Sequence, residues 1–211
     1  MIRCKWCNLK NEKYIEYHDK EWCKPNFDDK YLFEMLILES FQAGLSWECV
    51  LNKREDFRKA FDNFDVEKIC NYNDEKIQEL LRNEKIIRNK LKINATINNS
   101  KIFRKIQNEY GTFHNYLKTF TNDVIIYEID KTTNKLSDDL SKDLQKSGMK
   151  FVGSTIIYSY LQAIGIIYSH DKECFMYLYM EVSSMNENES IEFKENYTEK
   201  IDKDNYLNNI K

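Results

Sequence analysis

The chain has 211 residues, of which 42% are hydrophobic and 32% charged, with a formal net charge of −3 at pH 7. This length is sufficient to bury a hydrophobic core, and the slightly acidic balance excludes a protein that merely coats nucleic acid through bulk positive charge. No signal peptide is evident, and no apolar run approaches the ~20 residues of a membrane span. We therefore expect a cytoplasmic protein with no membrane partner. In that reducing compartment its six cysteines are expected to be thiols or metal ligands.

The pattern of apolar residues predicts a helical protein. Five glycines and one proline leave little turn chemistry for a β-sandwich or barrel. Apolar residues instead recur at three- and four-residue spacing, which is typical of helices. In chain order the predicted helices cover 29–43, 47–62, 75–82, 88–109, 112–120, 137–147 and 154–164. The predicted fold class is all-α.

The last part of the chain has a different composition. Residues 178–211 are polar and acid-rich, with few apolar positions to pack, which predicts a mobile tail or a loosely docked extension. Residues 1–177 are predicted to form a single helical domain.

Cysteines and histidines near both ends of this domain suggest a metal site. His170 and Cys174 are one helical turn apart, and Cys4, Cys7 and His18 lie near the N-terminus. Nitrogen and thiolate ligands suit tetrahedral zinc, which needs four of them. Two sets are possible: His170 and Cys174 join either Cys4 and Cys7 or Cys4 and His18. Either set would tie the N-terminus to the end of the domain. The alternative is that His170 is an ordinary surface histidine and Cys174 a small packing cysteine.

A carboxylate lies inside the most apolar segment, residues 31–51. The predicted helix here is apolar on nearly every side, so Glu39 should be buried, and a buried carboxylate normally has a partner or a function. Trp47 follows about two turns later. Further aromatic residues crowd the N-terminus: Trp6, Tyr14, Tyr17 and Trp22. If these rings converge on Glu39, they form a cavity for a flat, electron-poor heterocycle; the alternative is an aromatic core with one satisfied glutamate.

Residues 75–99 have the pattern of a helix-hairpin-helix. A short helix, a tight turn and a longer helix follow one another, with Arg88, Lys90 and Lys92 near the start of the second helix. Backbone amides at such a turn are natural phosphate ligands, and the cations add attraction. A charged, solvated helix face is the simpler alternative.

Taken together, these segments resemble the type I 3-methyladenine DNA glycosylase family. The matching motifs are "RCKW", "YIEYHDKEW", "LFEMLILESFQAGLSW", "IIRNKLKI", "LSKDLQKSGMKFVGSTIIYSYLQAIG" and "HDKEC", in the family's order and spacing over roughly residues 1–176. The resemblance implies a helix-hairpin-helix glycosylase fold, with the hairpin part at about 47–120 and a zinc site joining the N- and C-terminal segments.

The resemblance also implies particular site residues. One structural zinc ion would be bound by Cys4, His18, His170 and Cys174, whereas Cys7 departs from the family pattern. Glu39 and Tyr17 would be catalytic, and the excised base would contact Trp47, Tyr14, Trp6 and Trp22. DNA would be bound by Leu45, Lys85, Arg88 and Lys90, with Leu45 filling the gap in the duplex. Lys85 stands where the family usually has glycine, so the turn either adopts an ordinary backbone conformation or binds DNA less tightly.

The implied activity is removal of N3-methyladenine from alkylated double-stranded DNA by hydrolysis. The enzyme would be a monofunctional base-excision repair glycosylase and a monomer, leaving an abasic site and free 3-methyladenine. Residues 88–121 contain no aspartate to stabilise a sugar cation, as in the family. The rival interpretations are a zinc-containing nucleic-acid binding module without catalysis and an enzyme acting on free modified purines.

Overall fold

A computed structural model describes residues 1–177, so the prediction for the tail at 178–211 lies outside the described residues. Within this range no helix has both the length and the apolar character needed to cross a membrane. The described helices are α1 (Glu12–Lys20), α2 (Asp29–Gln42), α3 (Trp47–Asn52), α4 (Arg54–Ala60), α5 (Val66–Cys70), α6 (Asp74–Arg82), α7 (Lys90–Tyr110), α8 (Phe113–Thr121), α9 (Lys135–Lys146) and α10 (Ser154–Ala163).

The predicted all-α class is confirmed. Two helices were not predicted, α1 and the short α5, and the helix expected over 47–62 is interrupted at Lys53 between α3 and α4. In the described part of the chain, β structure is limited to β1 (Ile126–Tyr127) and β2 (Ile167–Tyr168), which pair in parallel. Strands of two residues are too short to form a layer of their own, so helix packing determines the fold.

Helix α2 is the centre of the core. The Asp28 carboxylate caps its first turn by accepting hydrogen bonds from the backbone N–H groups of Lys30 and Tyr31. Every residue from Leu32 to Phe41 is buried, as the apolar pattern predicts. The helix packs against α3, α7, α8 and α10, so that its polar residues are also enclosed.

The predicted helix-hairpin-helix is formed by α6, residues 83–89 and α7. Asn73 and Asn89 each cap a helix through a side-chain oxygen, and Ile86 in the turn is buried. None of residues 83–89 has a positive φ, so Lys85 occupies an ordinary backbone conformation. The turn therefore does not need the conformational freedom of the glycine that the family usually has here.

Two compact units are distinguished in the chain. Asn8–Ser169 form the larger unit, which contains α1 to α10, and Met1–Cys7 with the described residues from His170 onward form the smaller one. In the smaller unit the two segments pair directly: Lys5 donates its N–H to Asp171 Oδ2 at 2.8 Å, and Phe175 donates to the Ile2 carbonyl at 2.9 Å. The expected single domain over 1–177 stays a prediction.

Gly165 allows a close approach of two backbone segments in the larger unit. It follows α10 with φ +79°, and the N–H of Asn26 bonds to the Ile164 carbonyl at 3.3 Å. A Cβ atom on Gly165 would overlap with the backbone of Lys24 and Pro25. Both the positive φ and this contact require glycine.

We predict that Gly165→Ala lowers the free energy of unfolding by more than about 2 kcal/mol, because it adds left-handed strain to a steric clash. Gly153→Ala is the matched control, since Gly153 has φ −65° and nothing within 4 Å of the added Cβ. Urea denaturation of the three proteins measures both effects. Equal stabilities for the two variants would contradict the predicted contact.

Candidate functional site

Helices α1 and α3 bring two of the predicted pocket rings together. The rings of Tyr17 and Trp47 lie with centroids 5.2 Å apart at an interplanar angle of 48°, and both side chains are buried. Ser46 starts α3 by accepting a hydrogen bond from the N–H of Cys49, which fixes Trp47 in the first turn. Tyr14 is also buried and lies on the same face of α1 as Tyr17, three residues away.

Two buried glutamates of α2 have opposite environments. Glu34 Oε1 accepts a hydrogen bond from Arg54 Nε at 2.5 Å and another from Arg58 Nε at 2.9 Å. Glu39 is 3% exposed, and its Oε2 has no hydrogen-bond partner in the described part of the chain. Burying a carboxylate without a partner is costly, so the expectation of a satisfied core glutamate fits Glu34 and not Glu39.

Two buried polar atoms of this site, one donor and one acceptor, lack a hydrogen-bond partner among the described residues. Trp47 Nε1, a donor, is buried without a partner among the described residues, as is the acceptor Glu39 Oε2. Burial raises the pKa of Glu39 to about 8. Burial, with the nearby Glu39 carboxylate as a second cause, also raises the pKa of Tyr17. The site thus contains an unused donor, an unused acceptor and two aromatic rings.

The other two predicted base-binding tryptophans are placed differently. The ring of Trp22 is buried and stacks on the ring of His18, with centroids 6.2 Å apart and planes at 24°. Trp6 is half-buried and belongs to the smaller unit. Contact of either tryptophan with the excised base stays a prediction.

The predicted DNA-binding residues lie on exposed turns. Leu45 is 43% exposed in the loop between α2 and α3. Lys85, Arg88 and Lys90 are exposed on the hairpin turn and the start of α7. Arg88 pairs with Glu84 at 3.3 Å, a contact at the surface that water screens and that exchanges easily.

The hairpin turn also exposes backbone donors. The N–H groups of Lys85 and Ile86 are bonded to Asn83 within the turn. Those of Glu84, Ile87 and Arg88 have no hydrogen bond among residues 1–177. Free amides beside exposed cations make a suitable contact for a phosphate group.

The position of Lys92 differs from the one that the sequence predicted. The sequence placed it with the exposed cations of the hairpin, but it is buried, and its Nζ donates to the carbonyls of Phe41 at 2.7 Å and Ala43 at 2.5 Å. Its position in the first turn of α7 gave no indication of this, because the contact is with a segment some 50 residues earlier.

Three of the predicted metal ligands come together in the smaller unit. His170 Nδ1 lies 3.3 Å from Cys4 Sγ and 3.5 Å from Cys174 Sγ, and Cys4 Sγ accepts a hydrogen bond from the N–H of Asp171. Zinc bonds of ~2.3 Å to sulfur and ~2.0 Å to nitrogen in a tetrahedron place neighbouring ligand atoms about 3.5 Å apart. The observed separations fit that geometry.

The fourth predicted ligand is His18, which lies in the larger unit and is buried, as are the other three. His18 Nδ1 bonds to Asp19 Oδ1 at 2.7 Å, which leaves Nε2 for a metal. Cys7 is buried but does not belong to this group. Of the two ligand sets that the spacing allowed, the geometry favours the one without Cys7.

A helical protein with a hairpin of this kind and a buried acid among aromatic rings is typical of base-excising DNA glycosylases. Residues 6–177 match the methyladenine glycosylase family. The chain is 40% identical to the DNA-3-methyladenine glycosylase 1 of Escherichia coli K12 over 184 residues, which cover 84% of this chain and 97% of that protein.

Solved structures agree with this assignment. A crystal structure of 3-methyladenine DNA glycosylase I matches with a TM-score of 0.79 and 39% identity, covering 82% of this chain and 98% of that one. The Staphylococcus aureus enzyme, solved to explain its recognition of 3-methyladenine, matches with a TM-score of 0.76 and 34% identity over 79% and 92% of the two chains. The chain belongs to the methyladenine glycosylase family and is therefore an enzyme that hydrolyses an N-glycosidic bond.

The burial of Glu39 predicts a pH-dependent cost in stability. Its folded pKa, about 8, lies above the ordinary value of 4.5, so between these pH values the folded state retains a proton that the unfolded state has lost. The free energy of unfolding should therefore fall with rising pH in this window, by on the order of 5 kcal/mol from this group alone. Glu39→Gln cannot titrate and should lack this component.

We thus expect the stability difference between Glu39→Gln and the unmodified protein to grow from about pH 4.5 to about pH 8, as measured by urea denaturation. Comparing the two proteins cancels the other titrating groups. Glu79→Gln, which removes an exposed carboxylate, controls for the loss of charge. A difference for Glu39→Gln that stays constant over this range would contradict burial of an unpaired carboxylate.

Proposed function

We propose that this enzyme removes 3-methyladenine from alkylated double-stranded DNA, and that Glu39 recognises the base inside a pocket formed with Tyr17 and Trp47. The observation that carries this proposal is the buried, unpartnered Glu39 Oε2 near Tyr17, whose ring contacts that of Trp47. Such a pocket is deep inside the protein, so the damaged nucleotide must leave the base stack to reach it. Family membership supports the reaction and the substrate.

The chemistry of the substrate explains why few polar groups are needed to excise the base. Methylation at N3 leaves a cationic ring on deoxyribose, which is already an activated leaving group. A cation beside Glu39 favours the ionised carboxylate and so opposes the effect of burial on its pKa. A neutral adenine gains no such attraction and has to offset the same desolvation, so the pocket favours the damaged base. Tyr17 and Trp47 hold the ring by stacking, and Trp47 Nε1 supplies a donor to its edge.

The remaining step is hydrolysis at the sugar. We propose that water attacks C1′ as the neutral 3-methyladenine departs, leaving an abasic site. The hairpin segment 88–121 contains no aspartate that could stabilise the sugar cation, which is consistent with an already activated base. No lysine is needed as a covalent nucleophile, so the enzyme is expected to be monofunctional and to leave the strand intact.

The hairpin turn is proposed to hold the DNA backbone. Free amides at Glu84, Ile87 and Arg88 would bind phosphate oxygens, with Lys85, Arg88 and Lys90 adding charge. Exposed Leu45, in the loop directly after the helix that carries Glu39, would enter the space that the flipped base leaves. All of these residues belong to a single chain, and we propose that the enzyme acts as a monomer.

A structural zinc ion is proposed at Cys4, His18, His170 and Cys174. The two sulfur and two nitrogen ligands suit tetrahedral zinc, and their burial and spacing support it. Four protein ligands leave no open position for a substrate or water, so the ion would stabilise the fold without taking part in excision. The proposed substrate is alkylated double-stranded DNA, and one proposed product is free 3-methyladenine.

We predict that Glu39→Gln lowers single-turnover release of 3-methyladenine from methylated DNA by at least about 100-fold, because the neutral amide loses the attraction to the cationic ring. The melting temperature should not fall, since glutamine matches the shape of glutamate. Chromatography of released bases measures the rate, with Glu79→Gln as the control. An unchanged rate would remove Glu39 from the active site.

We predict that zinc depends on the four clustered residues and not on Cys7. Untagged protein should contain about one zinc ion per chain, and so should Cys7→Ser, whereas Cys174→Ser should contain none. Chelator treatment should lower the melting temperature by about 10 °C or more, with a much smaller effect on excision by protein that is still folded. Mass spectrometric metal analysis provides the measurement. Metal-free untagged protein, or loss of zinc in Cys7→Ser, would disprove the assignment.

A further inference from the structure

The side chain of Lys92 forms hydrogen bonds with the C-terminal end of the central helix, α2. Only 6% of the side chain is exposed, and its ammonium group donates to two backbone carbonyls, those of Phe41 and Ala43, at the C-terminus of α2. The Phe151 ring lies 5.8 Å from the ammonium group on another side. An ammonium group has three donors, of which the carbonyls use two, and the ring face provides a further favourable surface for the charge.

The carbonyls that Lys92 binds lie between the two groups proposed to recognise the base. Glu39 is in the last turn of α2, and Trp47 begins α3. The connection turns sharply, with ψ 112° at Ala43 and φ +76° at Gly44. The last carbonyls of a helix lack partners in the helix, and a cation there also interacts favourably with the negative end of the helix dipole. Lys92 therefore determines where α2 ends and how the chain leaves it.

We propose that Lys92 is a positioning residue for base excision, which fixes the Phe41–Ala43 backbone and thereby holds Glu39, Leu45 and Trp47 in their relative places. The proposal rests on the roles assigned above to Glu39 and Trp47. Lys92 lies on the second helix of the hairpin, so the same helix that begins at the phosphate-binding turn also shapes the base pocket. Contact with the DNA backbone and placement of the base are coupled through one side chain.

Direct binding of Lys92 to a phosphate would be a different role. Lys90, two residues earlier, is exposed and free to serve that purpose. Lys92 would have to leave two short hydrogen bonds and expose two carbonyls that no other described side chain replaces. Leaving buried polar groups unsatisfied is costly, so the structure favours the positioning role.

The test compares Lys92→Met, which keeps the length of the side chain and removes its donors, with Lys101→Met, an exposed position on the same helix. Single-turnover excision at saturating enzyme should be about 10- to 100-fold slower in Lys92→Met, since small displacements of catalytic groups have effects of this size. Lys101→Met should match the unmodified enzyme. Lys92→Arg, which retains charge and donors, should recover most of the rate.

The salt dependence of DNA binding separates positioning from phosphate contact. Lys92→Met should leave the slope of log affinity against log salt unchanged, whereas Lys90→Met should reduce it by about 1. Melting temperatures are measured in parallel, and rates are taken well below them, so that a variant that is only less stable shows a normal rate. If Lys92→Met does not fold, Lys92→Leu, which also removes the donors, takes its place under the same criteria.

Each outcome decides the question. Slow excision with an unchanged salt slope supports the positioning role. A normal rate, or a slope reduced as in Lys90→Met, overturns it. Glu39→Gln is assayed alongside: normal excision by that variant would remove the proposed pocket itself, whereas slow Glu39→Gln with normal Lys92→Met would remove only the role of Lys92.

Discussion

Burying the Glu39 carboxylate without a partner costs free energy that the rest of the fold must offset. The offset comes from α2, where every residue from Leu32 to Phe41 is buried against neighbouring helices. Because the helix is enclosed on all sides, Glu39 cannot turn towards solvent. This burial raises the pKa of its carboxyl group. With a pKa of about 8 the resting side chain keeps its proton near neutral pH. A cationic base bound beside it would favour the ionised form, so the attraction develops as the base enters the site.

The sequence predicts which segment contains the site but not which acid is used. Glu34 and Glu39 both lie in the same apolar run, and the pattern of that run predicts that both are buried. What separates them is the long-range pairing of Glu34 with Arg54 and Arg58, which belong to another helix. Residue spacing within α2 contains no information about that pairing. The sequence analysis selected Glu39 from its place in the apolar run without comparing it with Glu34, and the family resemblance implied its catalytic role. The three-dimensional contacts show which of the two acids lacks a partner.

Local signals predicted the helices well where caps and apolar repeats agree, as in α2, α6 and α7. They missed α1, whose residues are mostly polar, because its burial comes from aromatic side chains at Tyr14 and Tyr17 and not from an aliphatic stripe. Lys85 illustrates the opposite case. Comparison with a family that usually has glycine raised the prospect of a strained turn, yet the backbone there has no positive φ. Lys92 was misplaced on the surface because its two partners lie far away in sequence.

Helix α1 contains residues with two different proposed roles. Tyr17 and His18 are consecutive, so their side chains point about 100° apart around the helix axis. Tyr17 faces Trp47, whereas His18 stacks on Trp22 and is a proposed metal ligand. A metal with four protein ligands has no open position for the base. Two consecutive residues of one helix thus have separate proposed roles, Tyr17 in recognition of the base and His18 in stability, because the helical turn directs their side chains to different surroundings.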